Sequence, residues 1–131
     1  MAIAYLHNTA SIYAELPFNN VLIQKSDCET TLITGETFDQ LYFRIDDEIA
    51  ALKENCIEYT IVSYDLPVDR YPDWFVEAVQ NKLIFVDEEV WFIDYLHESD
   101  VLMYDGGVIL RNFLGELRYM EYEQFDRYYS I

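Results

Sequence analysis

Basic residues are scarce in this sequence. Eight Lys and Arg stand against 25 Asp and Glu, which gives a formal net charge of −17 at pH 7. A field of this sign repels nucleic acid and anionic membrane surfaces, and it attracts basic partners. We therefore predict no direct nucleic-acid binding and no membrane binding. Either a basic protein partner or solubility alone explains the acidity.

Cysteine and histidine are also rare. The chain has two cysteines, Cys28 and Cys56, and two histidines, and none of them lies in a zinc-type spacing. We expect free thiols in a reducing cytosol. The dense acidic runs 46–48 and 87–89 lack the alternating ligands and the glycine of a calcium loop. The sequence predicts no metal site and no cofactor.

Catalytic motifs and long apolar runs are absent as well. The sequence contains no P-loop, no dinucleotide-binding glycine fingerprint and no nucleophile elbow, so we expect a protein that is not an enzyme. The first 16 residues have no basic region and no long apolar core, which argues against a secretory signal. No apolar run approaches the roughly 20 residues that span a bilayer. These features predict a cytoplasmic location.

What the chain has is enough apolar sequence for one core. Its 131 residues are 52% hydrophobic, and a chain of this size folds as one domain without disulfides or metals. The predicted fold class is α+β. We expect a single compact domain over residues 1–131, mainly an antiparallel sheet, with one long amphipathic helix and one or two short helices.

The long helix is predicted over residues 37–54. Its apolar residues recur at helical spacing, and they are Phe38, Leu41, Tyr42, Ile45, Ile49 and Leu52. Thr37 fits an N-cap, and Gln40 completes a capping-box pattern. The opposite face carries Asp39, Asp46, Asp47 and Glu54.

Strands are predicted from alternating or β-branched segments. The segments are 2–6, 20–24, 30–34, 56–64, 83–86, 89–95, 101–104, 108–112 and 116–120. Segment 11–16 fits either a strand or a short helix. Short helices are predicted at 72–80, where Pro72 suits a helix start, and at 121–129. Asp105-Gly106-Gly107 indicates a tight turn.

The acids fit a second interpretation besides solubility. Carboxylates about 5–6 Å apart on a helix, or about 6.7 Å apart on a strand, come near the spacing of phosphates along a nucleic-acid strand. Rows of such acids would present a DNA-like pattern to a basic groove. One predicted row is Asp39, Asp46, Asp47 and Glu54, and the other is Glu116, Glu121, Glu123 and Asp126.

The last 60 residues resemble a known family. Residues 72–85, PDWFVEAVQNKLIF, and residues 90–131, VWFIDYLHESDVLMYDGGVILRNFLGELRYMEYEQFDRYYSI, resemble the phage and prophage PGDYG-type small domain. The shared order is a Trp-containing helix, a strand, a Gly-Asp type turn, an apolar strand, a Gly-Glu turn, an aromatic strand and a final Phe-containing helix. The family's Pro-Gly-Asp-Tyr turn is Tyr104-Asp105-Gly106-Gly107 here. Its Pro-Cys segment is residues 120–123.

The resemblance implies a bacterial cytoplasm under phage infection, and it carries over no site residue. In that setting the acidity favours a protein that inhibits a host nucleic-acid-binding defence protein, with a CRISPR effector as the leading target. The alternative is a phage structural or assembly protein, for which a homodimer would be expected. A third reading is a cryptic enzyme or small-molecule binder, which would need a concave pocket with convergent polar groups.

Overall fold

The computed structural model describes residues 2–25, 29–87, 90–95 and 99–131. It is an α+β structure built mostly of sheet, as predicted. Every strand pairing whose register is described is antiparallel. Cys28 lies outside the described residues.

The described residues form thirteen strands and three helices. The strands are β1 (Ile3–Leu6), β2 (Ser11–Leu16), β3 (Asn20–Gln24), β4 (Thr30–Thr34), β5 (Tyr42–Arg44), β6 (Ile49–Leu52), β7 (Cys56–Ile61), β8 (Ile84–Asp87), β9 (Val90–Tyr95), β10 (Ser99–Met103), β11 (Val108–Asn112), β12 (Leu117–Met120) and β13 (Tyr129–Ser130). The helices are α1 (Gly35–Leu41), α2 (Asp73–Gln80) and α3 (Tyr122–Tyr128).

The strands form three sheets. Their orders are β12-β11-β7-β1-β13, β10-β9-β8 and β4-β3-β2-β6-β5. The chain divides into two compact units, which we call the N-terminal unit (residues 3–58, 112–116 and 128–131) and the C-terminal unit (residues 1–2, 59–111 and 117–127). The single domain over 1–131 stays a prediction.

The N-terminal unit has an aromatic core under the β4-β3-β2-β6-β5 sheet. In β2 and β3 alternate side chains are buried, as the two-residue period of a strand requires. Phe38 of α1 is fully buried, and its ring lies 5.1 Å from that of Tyr13 and 5.2 Å from that of Tyr42. Such ring pairs add about 0.5–1.5 kcal/mol each beyond area burial. This core fixes α1 to the inner face of the sheet.

The C-terminal unit is built around α2. Trp74, Phe75 and Ala78 share one face of this helix and are buried, as the sequence predicted. The ring of Phe75 stacks on that of Tyr71 at 4.2 Å. Val62, Ile84, Met103 and Ile109 complete the cluster. The predicted turn is present too, because Gly106 adopts φ 87°, a conformation that glycine tolerates best.

The long helix predicted over 37–54 is wrong, because the helix ends at Leu41. Residues 42–52 form the β5–β6 hairpin instead, and β6 pairs with β2. The apolar positions fit a helical stripe equally well, so pairing with a strand distant in sequence decided the outcome. The predicted cap is wrong as well. Thr34, not Thr37, is the N-cap, and its Oγ1 accepts from the backbone N–H of Thr37 at 3.2 Å.

Helix α1 therefore begins at Gly35. A Cβ at this position would lie 2.1 Å from Asn19 Oδ1. The backbone N–H of Gly35 also donates to the Asn19 carbonyl at 2.7 Å. A larger residue at this position would have to displace the Asn19 side chain.

Most strand predictions are confirmed within one to three residues, and segment 11–16, left open, is strand β2. The short helices are confirmed at Asp73–Gln80, with Pro72 as the residue before the helix, and at Tyr122–Tyr128.

Burial of Cys56 generates a testable prediction. The side chain is 3% exposed, and desolvation raises the pKa of its thiol to about 11. Because the thiolate is the reactive species, we expect Cys56 in a Cys28→Ser variant to resist alkylation at mildly alkaline pH while folded. It should react at once after denaturation. Mass spectrometry after a timed alkylation measures this, and fast labelling of the folded chain would contradict it.

The same burial sets the sign of a pH effect. The thiol pKa is 9.0 before burial and about 11 in the fold, so the unfolded chain loses this proton first as pH rises. Stability is therefore fully retained below pH 9 and falls between pH 9 and 11. Burial also raises the pKa values of Tyr13, Tyr71 and Tyr119, which extends the alkaline loss.

Candidate protein-binding surface

The acids lie in water wherever the structure describes their burial. Every acidic residue whose burial the structure describes is exposed, except for the half-buried Glu58. Charged carboxylates cannot be buried cheaply without partners, and this chain has few cations to supply. The question for function is therefore which of these acids are held in a fixed arrangement.

One connection, the turn of residues 45–49 between β5 and β6, holds three consecutive acids in a defined shape. We call it the acidic turn. The Asp46 carboxylate accepts from the backbone N–H groups of Glu48 at 2.8 Å and Ile49 at 2.7 Å. The Ile49 carbonyl accepts from Ile45 and Asp46 N–H. Asp46 therefore shapes the turn, and the exposed side chains of Asp47 and Glu48 remain available at its tip.

Tyr13 of β2 ties the acidic turn to the core. Its ring packs on Phe38, its hydroxyl donates to the Asp46 carbonyl at 2.7 Å, and its backbone N–H donates to the Glu48 carbonyl at 2.9 Å. Burial raises the pKa of Tyr13, Arg44 opposes that rise, and Glu15, Asp47 and Asp46 add to it. The negative charges of these three acids therefore act on one buried tyrosine.

Arg44, the last residue of β5, forms ion pairs with two acids, Glu15 and Asp39. Its guanidinium donates to Glu15 Oε1 at 2.9 Å and to Asp39 Oδ1 at 2.7 Å, and it lies 4.8 Å from the ring centre of Phe38. The two hydrogen bonds, first that to Asp39, raise the pKa of Arg44. Exposed ion pairs of this kind contribute about 0–1 kcal/mol, so their main effect is to position Glu15 and Asp39.

The first predicted row of acids is therefore rearranged. Asp39, Asp46 and Asp47 were expected on one helix face and instead belong to an acidic patch formed by Glu15, Asp39, Asp46, Asp47 and Glu48. Glu54 lies in the short 3-10 turn Lys53–Asn55 and is exposed. Sequence reasoning missed Glu15 because it lies on β2, and only pairing of β2 with β6 brings it beside the turn. Glu48 was seen only as part of an acidic run.

The second predicted row does not form one element. Glu116 lies in the β11–β12 turn, where its carboxylate accepts from Asn112 Nδ2 at 2.9 Å. Glu121 precedes α3, and its carbonyl accepts from the Phe125 N–H at 3.0 Å. Glu123 and Asp126 are exposed on α3, three residues apart and so on neighbouring positions of one helix face.

An exposed aromatic residue lies at the same end of the sheet as the acidic turn. Strand β2 runs from Ser11, opposite Ala50, to Leu16, so its far end and the acidic turn extend in one direction. The β2–β3 turn follows there, and its Phe18 is 96% exposed. Phe18 also has φ 63°, a left-handed conformation that costs a bulky residue energy. Because the ring is exposed, it adds no buried apolar area to the stability of the fold.

A shallow depression lies in the described part of the N-terminal unit. It is lined by Tyr5, His7, Asn8, Ala10 and Ser130. His7 Nδ1 and Ser130 Oγ share a hydrogen bond. His7 directly follows β1 and Ser130 lies on β13, so their hydrogen bond links the two strands at the β13 edge of the sheet.

Two further properties limit the chemistry of the described residues. They contain no group of three or more His, Cys, Asp or Glu arranged to hold a metal ion. No described helix is long and apolar enough to cross a membrane.

Comparison with known proteins adds no relative. No family model, no curated protein and no solved structure matches this chain. The resemblance of residues 72–131 to the phage PGDYG-type domain therefore stays a prediction.

Substitutions within the acidic turn separate shape from charge. We expect Asp46→Ala to lower the free energy of unfolding by about 1–2 kcal/mol, because two backbone donors lose a charged acceptor. Asp47→Ala removes the same charge from the neighbouring position and should change stability by less than about 0.5 kcal/mol. Urea titration of both variants measures the difference, and equal effects would show that Asp46 does not shape the turn.

Proposed function

We propose that this chain is a binding protein that occupies a Lys- and Arg-lined nucleic-acid groove on another protein and blocks it. The acidic patch around Tyr13 and Arg44 is the surface that makes the contact. The resemblance to a phage domain supplies the setting: a bacterial cytoplasm, with a host defence protein as the target and a CRISPR effector as the leading candidate. Catalysis has no part in this function.

The fixed shape of the acidic turn is the observation that carries the proposal. Asp46 and Tyr13 hold its backbone by four hydrogen bonds, so Asp47 and Glu48 are displayed without a further loss of backbone freedom on binding. Pre-ordering of this kind lowers the entropic cost of association. A chain that needed acids for solubility alone would not need them fixed at one end of a sheet.

The charge excess favours a basic groove over other partners. A net charge of −17 speeds encounter with a positive surface and slows encounter with nucleic acid. The groove that normally accepts a phosphate backbone would thus accept the acidic patch.

Phe18 supplies the apolar contact that charge alone lacks. Interfaces depend on a few large side chains that fill pockets, and charged rims contribute less. Phe18 is almost fully exposed and lies at the same end of the sheet as the acidic turn. An unfavourable backbone conformation kept at an exposed aromatic residue is typical of a binding role.

A phage assembly role, the second candidate, is favoured by a different observation. The outer face of β2, β3 and β4 exposes Ile12, Leu22 and Leu32, an apolar surface that a charged groove would not require.

Charge reversal tests the proposal. We expect the double variant Asp47→Lys/Glu48→Lys to lose capture of its partner from a bacterial lysate, because the displayed acids then repel the groove. The matched control, Asp69→Lys/Glu77→Lys, makes the same change in net charge at exposed acids of the C-terminal unit and should retain capture. Raised salt should release the partner from the wild-type chain.

Three outcomes of that capture are informative. Loss in the acidic-turn variant alone supports the patch. Equal loss in both variants means that capture depends on the net charge of the chain and not on the acidic turn. Unchanged capture in both variants contradicts the proposal. The pair Glu123→Lys/Asp126→Lys, assayed beside them, decides whether α3 takes part.

Phe18 gives a prediction with opposite effects on stability and binding. Asn tolerates a left-handed backbone better than Phe does, so Phe18→Asn should raise the free energy of unfolding by up to about 1 kcal/mol. The same variant should weaken capture by roughly tenfold or more, as loss of an interface anchor does. Denaturant titration and quantitative capture measure the two effects, and unchanged capture would remove Phe18 from the interface.

A further inference from the structure

Strand β4 is the terminal strand of the β4-β3-β2-β6-β5 sheet in the described part of the chain, and its own sequence lacks the features that usually protect an edge. Its sequence, Thr-Thr-Leu-Ile-Thr, contains no charged residue and no proline. Natural sheets usually guard such edges with charges, proline or bulges, because an open edge pairs readily with another strand. An uncharged β-branched edge is unexpected in a chain of net charge −17.

Along β4, the backbone N–H and C=O groups of successive residues point alternately toward β3 and toward the open side of the sheet. Lys25 N–H donates to the Glu29 carbonyl at 2.9 Å, and Gly35 N–H donates to the Asn19 carbonyl at 2.7 Å. Hydrogen-bonded pairs alternate along an antiparallel ladder, so Thr31 and Ile33 also bond to β3. The backbone groups of Thr30 and Leu32 consequently point away from β3, toward the open side of the sheet.

The outer face of the sheet continues this uncharged surface. Ala14 of β2 is opposite Leu22 of β3, and Leu22 is opposite Leu32 of β4, so these three form a row that reaches the edge. Leu32 is 58% exposed and Leu22 is 36% exposed. The outward-facing positions of β2, β3 and β4 hold no charged side chain, and they are Ile12, Ala14, Leu16, Asn20, Leu22, Gln24, Thr30, Leu32 and Thr34.

We propose that two copies of this chain form a dimer by antiparallel pairing of their β4 strands, with Leu32 on the two-fold axis. Leu32 and the partner subunit's Leu32 then exchange both backbone hydrogen bonds. The two five-stranded sheets become one ten-stranded sheet. The row Ala14–Leu22–Leu32 continues directly into the same row of the partner copy, so the two Leu32 side chains lie beside each other across the axis.

The sequence of β4 is complementary to itself in this register. Thr30 faces the partner subunit's Thr34, and Thr31 faces the partner subunit's Ile33. Threonine pairs and apolar pairs at directly opposed positions stabilise antiparallel strands. The nearest acid, Glu29, faces the partner subunit's Gly35 and not another acid. A basic partner, by contrast, would find nothing at this edge to attract it.

Charge also favours a second copy at this edge. The acidic turn joins β5 and β6, at the opposite end of the strand order from β4. At about 4.8 Å between strands, the acidic turns of two paired copies are about 30 Å apart or more. The Debye length at physiological salt is about 8 Å, so most of the repulsion between these turns is screened. Both acidic patches stay open for another partner.

Salt should therefore act on the dimer in the opposite direction from its action on a basic partner. Screening weakens the repulsion between two chains of net charge −17, so raised salt should strengthen dimerisation. This inference does not depend on the proposed function, and the two can fail separately.

Sedimentation velocity over a range of concentrations, at low and at raised salt, tests the dimer. We expect the wild-type chain to shift from monomer to dimer as concentration rises, and to do so at lower concentration in raised salt. Leu32→Asp should weaken dimerisation by about tenfold or more, because like charges would oppose each other on the axis. Leu114→Asp is the matched control, since Leu114 is 77% exposed in the β11–β12 turn, and it should dimerise as the wild type does.

Amide hydrogen exchange of the unaltered chain gives a second readout that does not depend on any variant. The N–H groups of Thr30 and Leu32 should exchange more slowly in the dimer than in dilute monomer, while Thr31 and Ile33 stay protected in both. A wild-type chain that remains monomeric at every concentration and salt would overturn the proposal. So would a dimer that Leu32→Asp and Leu114→Asp affect equally.

Discussion

The excess of negative charge is the constraint on which this structure depends. With 25 acids and eight bases, most carboxylates have no cation to pair with and must stay in water. Buried polar groups must then be satisfied by something other than charge, and tyrosine does this. The hydroxyls of Tyr64 and Tyr71 donate to the carbonyls of Met103 and Ser63 at 2.6 and 2.8 Å, and that of Tyr119 accepts from Tyr104 N–H at 3.0 Å.

How far the sequence predicts the fold depends on whether the deciding contact is local. Strands β3, β4 and β11 have β-branched or apolar runs bounded by turns, and helix α2 has an apolar stripe behind a proline, so these were found. For residues 42–52 the same use of apolar spacing gave a wrong prediction, a helix instead of a hairpin. Their apolar positions satisfy a helical period, but Ala50 and Ile49 pair with Ser11 and Ile12, and no window of nearby residues contains that information.

The candidate surface shows the same limit. Asp46 and Asp47 were predicted as site residues because acids cluster there, yet their roles differ. Asp46 binds the backbone of its own turn, and Asp47 is displayed. Arg44 joins Glu15 to Asp39, and Glu15 follows two residues after Tyr13, whose backbone N–H donates to the Glu48 carbonyl of the acidic turn. The left-handed backbone of Phe18 is also seen only in the structure. In the sequence, a Phe between Pro17 and Asn19 indicates only a turn.

The sheet of the N-terminal unit therefore has two kinds of surface, with acids fixed where β5 meets β6 and an uncharged edge at β4.

The measurement that tests the central claim most directly is displacement of nucleic acid from the captured partner. A fluorescent DNA or RNA bound to that partner would be titrated with this chain while anisotropy is followed. The account predicts full release at about one equivalent of chain per partner, since both compete for one groove. Nucleic acid that stays bound at saturating chain would contradict it.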